Sequence, residues 1–517
     1  MKTNKKPKIR AAKSSAAPTK STKELFKSRE SQELILGFSG AVGCGIGQVT
    51  QATKRYLEEI GYKVEIVKLS DIIIDINHKQ KKPIDVMRPV DRYINLQTAG
   101  NQLRDKHDND ILAELATSEI ASKRASTIPA EEDIDAYVPL KTAYLIDQLK
   151  HPAEVEFMWS VYGHLFTMIG VFASYNLRKK HLIKNKISKT DAEIIMDRDR
   201  KEAEDHGQQL DKTLLMADFF VRNNSNINHI EKQLKRLINL THGENGTTPT
   251  QHEYAMYVAH SAGLKSACLS KQVGASITDK KGNIISTGFN DVPRAGGGLY
   301  NESDGANDHR CVHINNRQCS NDLYKTDLRN KIKDVLISKG GVDENLALEL
   351  VELIRKDSRL KGLIEFSRSV HAEMDALTAV ARTGGSAVKG GYLYTTTFPC
   401  HNCARHIIAS GIKKVFYIEP YEKSLAVDLH SDSIDTDSEG EKKSTQVQII
   451  HFEGVAPRRY LHYFTPQGER KDKTGTALVI PIRESPKKVF EYIDSYRDLE
   501  KKVVTQLIDA GLLEKPK

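Results

Sequence analysis

Two short stretches, "SVHAEMDAL" (369–377) and "TTTFPCHNCARHI" (395–407), place the tightest constraint on what this chain can fold into. His371, Cys400 and Cys403 make a set of three nitrogen and sulfur donors of the kind that holds zinc, the number that leaves a fourth tetrahedral position open for water. Cys400 and Cys403 are three residues apart, so a helix turns both sulfurs to one side. Pro399 suits a helix start, and a helix N-terminus favours the thiolates that a metal needs. Glu373 stands two residues after His371, where it is not needed as a ligand and can take a proton from water. Twenty-five residues separate Glu373 from Pro399, enough for a helix, a turn and a strand. The fold must therefore bring two helix starts together. A closed zinc knot would require a fourth protein ligand and would leave Glu373 without a purpose.

These residues form the H-x-E…P-C-x-x-C signature of zinc-dependent base deaminases. The signature implies one catalytic zinc on His371, Cys400 and Cys403, with Glu373 moving protons while water replaces an amino group and ammonia leaves. It spans free cytosine nucleotides, guanine, tRNA adenosine and polynucleotide cytosine. The stretch "CLSKQVGASITDKKGNIISTGFNDVPRAGG" narrows this: with "YTTTFPC" it resembles the deoxycytidylate deaminases over about 180 residues, broken by an insertion. By that resemblance Asn290 would hold the sugar, with Thr396 or Thr397 near the base. Tyr421, Lys423 and Ser424 follow the last motif strand and are candidates for the base edge or a phosphate, the lysine as a point charge. Some of these relatives carry a structural zinc ligand near the position of Cys268. "HRCVHINNRQC" adds His309, Cys311, His313 and Cys319, enough soft donors for a second zinc on Cys268, Cys311, His313 and Cys319. The relatives take later ligands from histidines just before the catalytic one, and "GLIEFSRSV" has none.

The composition, 39% hydrophobic and 28% charged over 517 residues, is that of a globular protein of about three domains. No apolar run approaches the length of a membrane span, and the N-terminus lacks the apolar core of a secretory signal, so a cytoplasmic protein is expected. Six cysteines are far too few for a disulfide scaffold. Of the net charge of +9, +8 lies in residues 1–30, a Lys/Ser/Ala-rich tail expected to be disordered. The near-neutral remainder argues against a large body built to grip nucleic acid. The tail is read as solubilising, or as an arm contacting RNA or a partner.

Upstream, "LILGFS" leads into "GAVGCGIG" (40–47), then an amphipathic helix ending at Gly61 and a strand through "KVEIVKLSDIII". This is a βαβ unit with glycines at its first turn. Gly40, Gly43, Cys44, Gly45, Ile46 and Gly47 outline a phosphate-binding loop. Ile46 stands where such a loop wants lysine, and Gly47 where it wants serine or threonine. Phosphoryl transfer is poorly supported, whereas the backbone N–H groups of such a turn still hold an anion. Arg178, Arg198, Arg200 and Arg222 are candidate phosphate contacts.

The whole chain resembles the bacterial anti-phage deoxycytidine nucleotide deaminases, which join a kinase-like N-terminal domain to a zinc deaminase. The resemblance implies an α/β protein with a degenerate P-loop NTPase-like parallel sheet at 31–245. At 250–460 it implies a deaminase-like α/β/α unit with a mixed sheet and an insertion at about 291–369. A C-terminal extension at 461–517 ends in an amphipathic helix. It implies conversion of dCTP and dCMP to dUTP and dUMP, a nucleotide ligand at the N-terminal unit, a homo-oligomer, and restraint by a small inhibitory RNA. The alternatives are a deaminase editing RNA or single-stranded DNA, and a bifunctional kinase–deaminase.

Overall fold

The structure is a computed structural model describing residues 29–514 apart from 86, 130–136, 202–206, 224–225, 358–362, 385–387, 422–423, 437–444, 467–468 and 479–490. Residues 1–28 of the tail and Lys423 therefore lie outside the described residues, whereas the tail's last two residues are described and Glu30 forms an antiparallel bridge with Tyr492.

Leu34–Gly40 (β1) is buried at all seven positions, as a strand covered on both faces must be. It pairs in parallel with Thr142–Asp147 (β3) and Phe166–Phe172 (β4); Lys63–Lys68 (β2) and Phe219–Arg222 (β5) extend the sheet on either side. The expected strand through "KVEIVKLSDIII" ends at Lys68, because β2 is the sheet edge and the chain turns back there. Leu69–Lys79 is instead a helix, burying Leu69, Ile73 and Ile76 at helical spacing. The sheet is also not wholly parallel. Its sixth strand, Gly454–Val455 (β12), runs antiparallel to β5 and arrives from the far end of the chain.

The second sheet contains Gly274–Thr278 (β6), Ile284–Phe289 (β7), Tyr392–Thr397 (β8), Lys414–Glu419 (β9), Ile434–Asp435 (β10) and Val447–His451 (β11). Its order is β10-β11-β9-β8-β6-β7, with β6 antiparallel to both neighbours and the remaining pairs parallel. The chain is thus α/β with two mixed sheets. The second unit opens on the helix Gln251–Gly263, which Thr250 and Glu253 start as a reciprocal capping box.

The insertion leaves and returns at one antiparallel bridge, Asp291 to Val370. It carries a helix at Glu344–Asp357 and a longer one at Ser320–Gly340. Two residues join β11 to β12, so the polypeptide passes directly from one sheet into the other. One apolar cluster accordingly contains Phe166 and Phe220 of the first sheet with Tyr394 and Phe416 of the second.

Candidate active site

Two helices meet at their N-terminal ends beside β8. His371 is the N-cap residue of Ala372–Thr383, and Cys400 that of His401–Ala409. Glu373 and Cys403 occupy the first turns. The first helix lies so close to β7 that a Cβ on Gly288 would stand 2.3 Å from the Ala372 carbonyl oxygen, so only glycine allows this approach. Its start is further fixed by Val370 N–H donating to the Asp291 carbonyl at 2.9 Å. At the second helix, the Ser424 hydroxyl donates to the Pro399 carbonyl at 2.7 Å and holds the turn before Cys400.

His371 Nδ1 lies 3.2 Å from the Cys400 sulfur and 3.4 Å from that of Cys403. Glu373 Oε2 is 3.6 Å from the Cys403 sulfur. Among the described residues, these three ligands are the one group of three or more His, Cys, Asp or Glu whose ligand atoms all lie within 4.8 Å of one another. One imidazole nitrogen and two sulfurs, converging with Cys400, Cys403 and Glu373 all buried, fit the donor set of a zinc centre with an open position. Hydrogen bonding from Cys403, and then from His371, holds the Cys400 thiol down to about 4. The hydrogen bond to Cys400 draws His371 up to about 9. Burial raises Glu373 above the usual carboxylate range.

This cluster lies at the wall of a cavity of about 780 Å³. Asn290, Thr397, Phe398 and Tyr421 line it, as do Lys271, Lys325, Arg329 and Arg355. Sequence reasoning missed these four cations. Lys325, Arg329 and Arg355 belong to the insertion helices, which close over the cavity, and only their chain distance from the motif hid them.

Asn290 spends its amide locally: its oxygen accepts from Val273 N–H and its nitrogen donates to the Lys271 carbonyl, each at 2.7 Å. It thereby shapes the 271–273 wall. Strand alternation gives the cavity Thr397 rather than Thr396, whose hydroxyl accepts from Gly274 N–H at 3.1 Å.

The four residues read as a second zinc site are not gathered into one. Cys268, Cys311 and Cys319 line a small common cavity, but their sulfurs approach serine hydroxyls of Ser369, Ser320 and Ser270 at 3.5–3.6 Å. His313 turns away to Asp308, at 3.3 Å. A tetrahedral site needs all four donors at one point, and this arrangement does not supply it.

The Gly-rich loop joins β1 to the helix Ile46–Glu59. Gly43 and Gly45 have φ of 83° and 80°, a left-handed conformation that explains glycine there. The Cys44 and Ile46 side chains are buried beneath the loop, so both residues can present only backbone to a ligand. Of the four arginines, Arg178 backs the loop, its Nε donating to the Val42 carbonyl at 2.8 Å. Arg198 donates to Thr98, Arg222 lies 3.4 Å from Glu453, and the side chain of Arg200 lies outside the described residues.

Residues 249–419 match the family model of the cytidine and deoxycytidylate deaminase zinc-binding region. The deoxycytidylate deaminase of Enterobacteria phage T4 is 32% identical over 172 residues, 33% of this chain and 78% of that protein. That of phage T2 is 33% identical over the same length, covering 80% of its chain. Among solved structures, the dCMP deaminase of cyanophage S-TIM5 in complex with dCMP and dUMP is 18% identical, covering 40% of this chain and all of that one, with a TM-score of 0.24. The chain belongs to the cytidine and deoxycytidylate deaminase family. Among the described residues no helix is long and apolar enough to cross a membrane.

Proposed function

We propose that this protein is a zinc-dependent hydrolase that deaminates deoxycytidine nucleotides, dCMP and dCTP, to the corresponding deoxyuridine nucleotides and ammonia. The observation that carries this reading is the buried convergence of His371, Cys400 and Cys403 with Glu373 against them. Zinc held by those three residues would acidify water at the open position, to a pKa of about 7. Glu373 accepts a proton from the attacking water and passes it to the cytosine ring nitrogen. It then carries the second proton of that water to the departing amine. The carbon–nitrogen bond breaks as the carbon–oxygen bond completes, so cytosine and water become uracil and ammonia. The buried helix starts hold Glu373 beside the reacting carbon, and the cavity wall keeps bulk water away from it.

The monophosphate follows from the activity named for the phage relatives. The triphosphate rests on the resemblance to anti-phage deaminases, together with a cavity large enough for a whole nucleotide and cations on its insertion side. In a cell, this chemistry would lower the deoxycytidine nucleotide pool available to a replicating phage. The test is ammonia release by purified protein from dCTP, dCMP, CTP, cytidine and single-stranded DNA. Turnover of dCTP or dCMP with none from DNA is expected. Product from DNA alone would replace this reading with a polynucleotide-editing one.

A further inference from the structure

The cavity beside His371 and Glu373 holds a second carboxylate that the proposed chemistry does not use. Glu419 ends β9, opposite Thr397 of β8, and lines the cavity together with Lys271, Asn290 and Thr397. One of its oxygens, Oε2, accepts from the Lys271 ammonium and, at 3.4 Å, from the Thr397 hydroxyl. Among the described residues no hydrogen bond reaches the other oxygen. Lys271 is itself fixed through its carbonyl, which takes the Asn290 amide at 2.7 Å. The ion pair is thus built into the wall, with one acceptor atom left for whatever enters.

Charge decides which part of a nucleotide can meet that atom. A phosphate is anionic, and placing it against a carboxylate is strongly unfavourable. The phosphates belong instead on the insertion side, where Lys325, Arg329 and Arg355 outnumber the carboxylates Asp322 and Glu352. A carboxylate calls for a hydrogen-bond donor. A deoxycytidine nucleotide has two, the 4-amino group and the 3′-hydroxyl. The amino group is the one that leaves, so it faces Glu373. The 3′-hydroxyl remains, and Asn290, which spends both amide functions on the wall, does not take it.

We propose that Glu419 is the specificity-determining residue that reads the 3′-hydroxyl, and that through it the site accepts free nucleotides and rejects polynucleotide. Inside a strand the 3′ oxygen is esterified. It has no proton to donate, and it brings a phosphate against the carboxylate. The inference rests on the deaminase reading of this cavity and supplies the reason such a site would pass over DNA.

Three nucleotides separate the two effects: dCMP, 2′,3′-dideoxycytidine 5′-monophosphate, which lacks the donor, and deoxycytidine 3′,5′-bisphosphate, which carries the phosphate of an internal position. For ammonia release by the full-length protein, kcat/KM should fall about tenfold for the dideoxy compound and about a hundredfold for the bisphosphate. Glu419→Gln keeps the shape, removes the charge and leaves Lys271 uncompensated. It should lower kcat/KM for dCMP about fivefold yet raise it for the bisphosphate about tenfold, whereas a misfolded variant would lower both. Lys271→Met, which leaves the carboxylate without its cation, should widen the gap between dCMP and the bisphosphate. The inference is overturned if wild-type protein uses the bisphosphate as well as dCMP, or if Glu419→Gln shifts all three substrates by one factor. Absence of ammonia release from both dCMP and dCTP would instead sink the deaminase reading. Equilibrium dialysis of the same three nucleotides then decides the role of Glu419 through the same order of affinities.

Discussion

Glu373 differs from its neighbours in what its removal should cost. His371, Cys400 and Cys403 form the donor set, whereas Glu373 contacts only the edge of that set, at 3.6 Å from the Cys403 sulfur. Glu373→Ala is expected to keep zinc, by metal analysis, while ammonia release falls at least a hundredfold, the lower end of what a positioned general acid–base supplies. An active, zinc-loaded Glu373→Ala protein would contradict the assignment. These four residues were legible in the sequence because their spacing alone dictates two facing helix starts. The other residues lining the cavity were less so. Thr396 and Thr397 are adjacent and chemically identical, and only the register of β8 against β6 sends one to the cavity and the other to Gly274.

At the scale of elements, the insertion changes most between sequence and structure. The helix Ser320–Gly340 buries only its first residue. Its apolar line of Leu328, Ile332 and Leu336 is only half-buried, and the first two line the cavity instead of a core. The helix folds beside Glu344–Asp357, where Arg329 and Arg355 share Glu352 at 2.8 Å each and line the same cavity as Glu373. One carboxylate cannot neutralise two guanidinium groups, which leaves charge for a phosphate. Arg329→Ala should raise KM about tenfold, more for dCTP than for dCMP, with kcat little changed, as steady-state kinetics on both substrates will read. A similar lesson comes from "KLSDIII", whose apolar run suits strand or helix; the position of β2 at the sheet edge decided for helix.

Across the whole molecule, the last helix is tied back to the N-terminal unit through Arg124 of the helix Ile111–Ala125. The C-terminal helix Ile493–Asp509 inserts Glu500 beside Arg124, which also holds Glu33, all three buried. Arg124→Met would strand two carboxylates and should lower unfolding stability by about 3–5 kcal/mol, measured by urea denaturation. Between the sheets, His451 stacks on Phe172 with ring centroids 3.4 Å apart. Burial pushes its pKa down to about 4 from 6.5, outweighing the carbonyls of Phe452 and Ile418, which lie 2.7 Å from its two ring nitrogens and favour the protonated ring. The folded state thus resists a proton that the unfolded chain accepts. The stability this represents is intact above pH 6.5 and is lost as pH falls towards 4. Wild-type protein should lose about 2 kcal/mol more than His451→Phe between pH 7 and pH 5, seen in urea midpoints at both values. By itself, the sequence determined the deaminase motif and the strand, glycine loop and helix at 34–59, because each depends on spacing within a few dozen residues. Tertiary structure alone decided that β12 completes the N-terminal sheet and that insertion cations reach the candidate active site. These contacts join residues scores to hundreds of positions apart, and their energy comes from burial and charge pairing that no local pattern records.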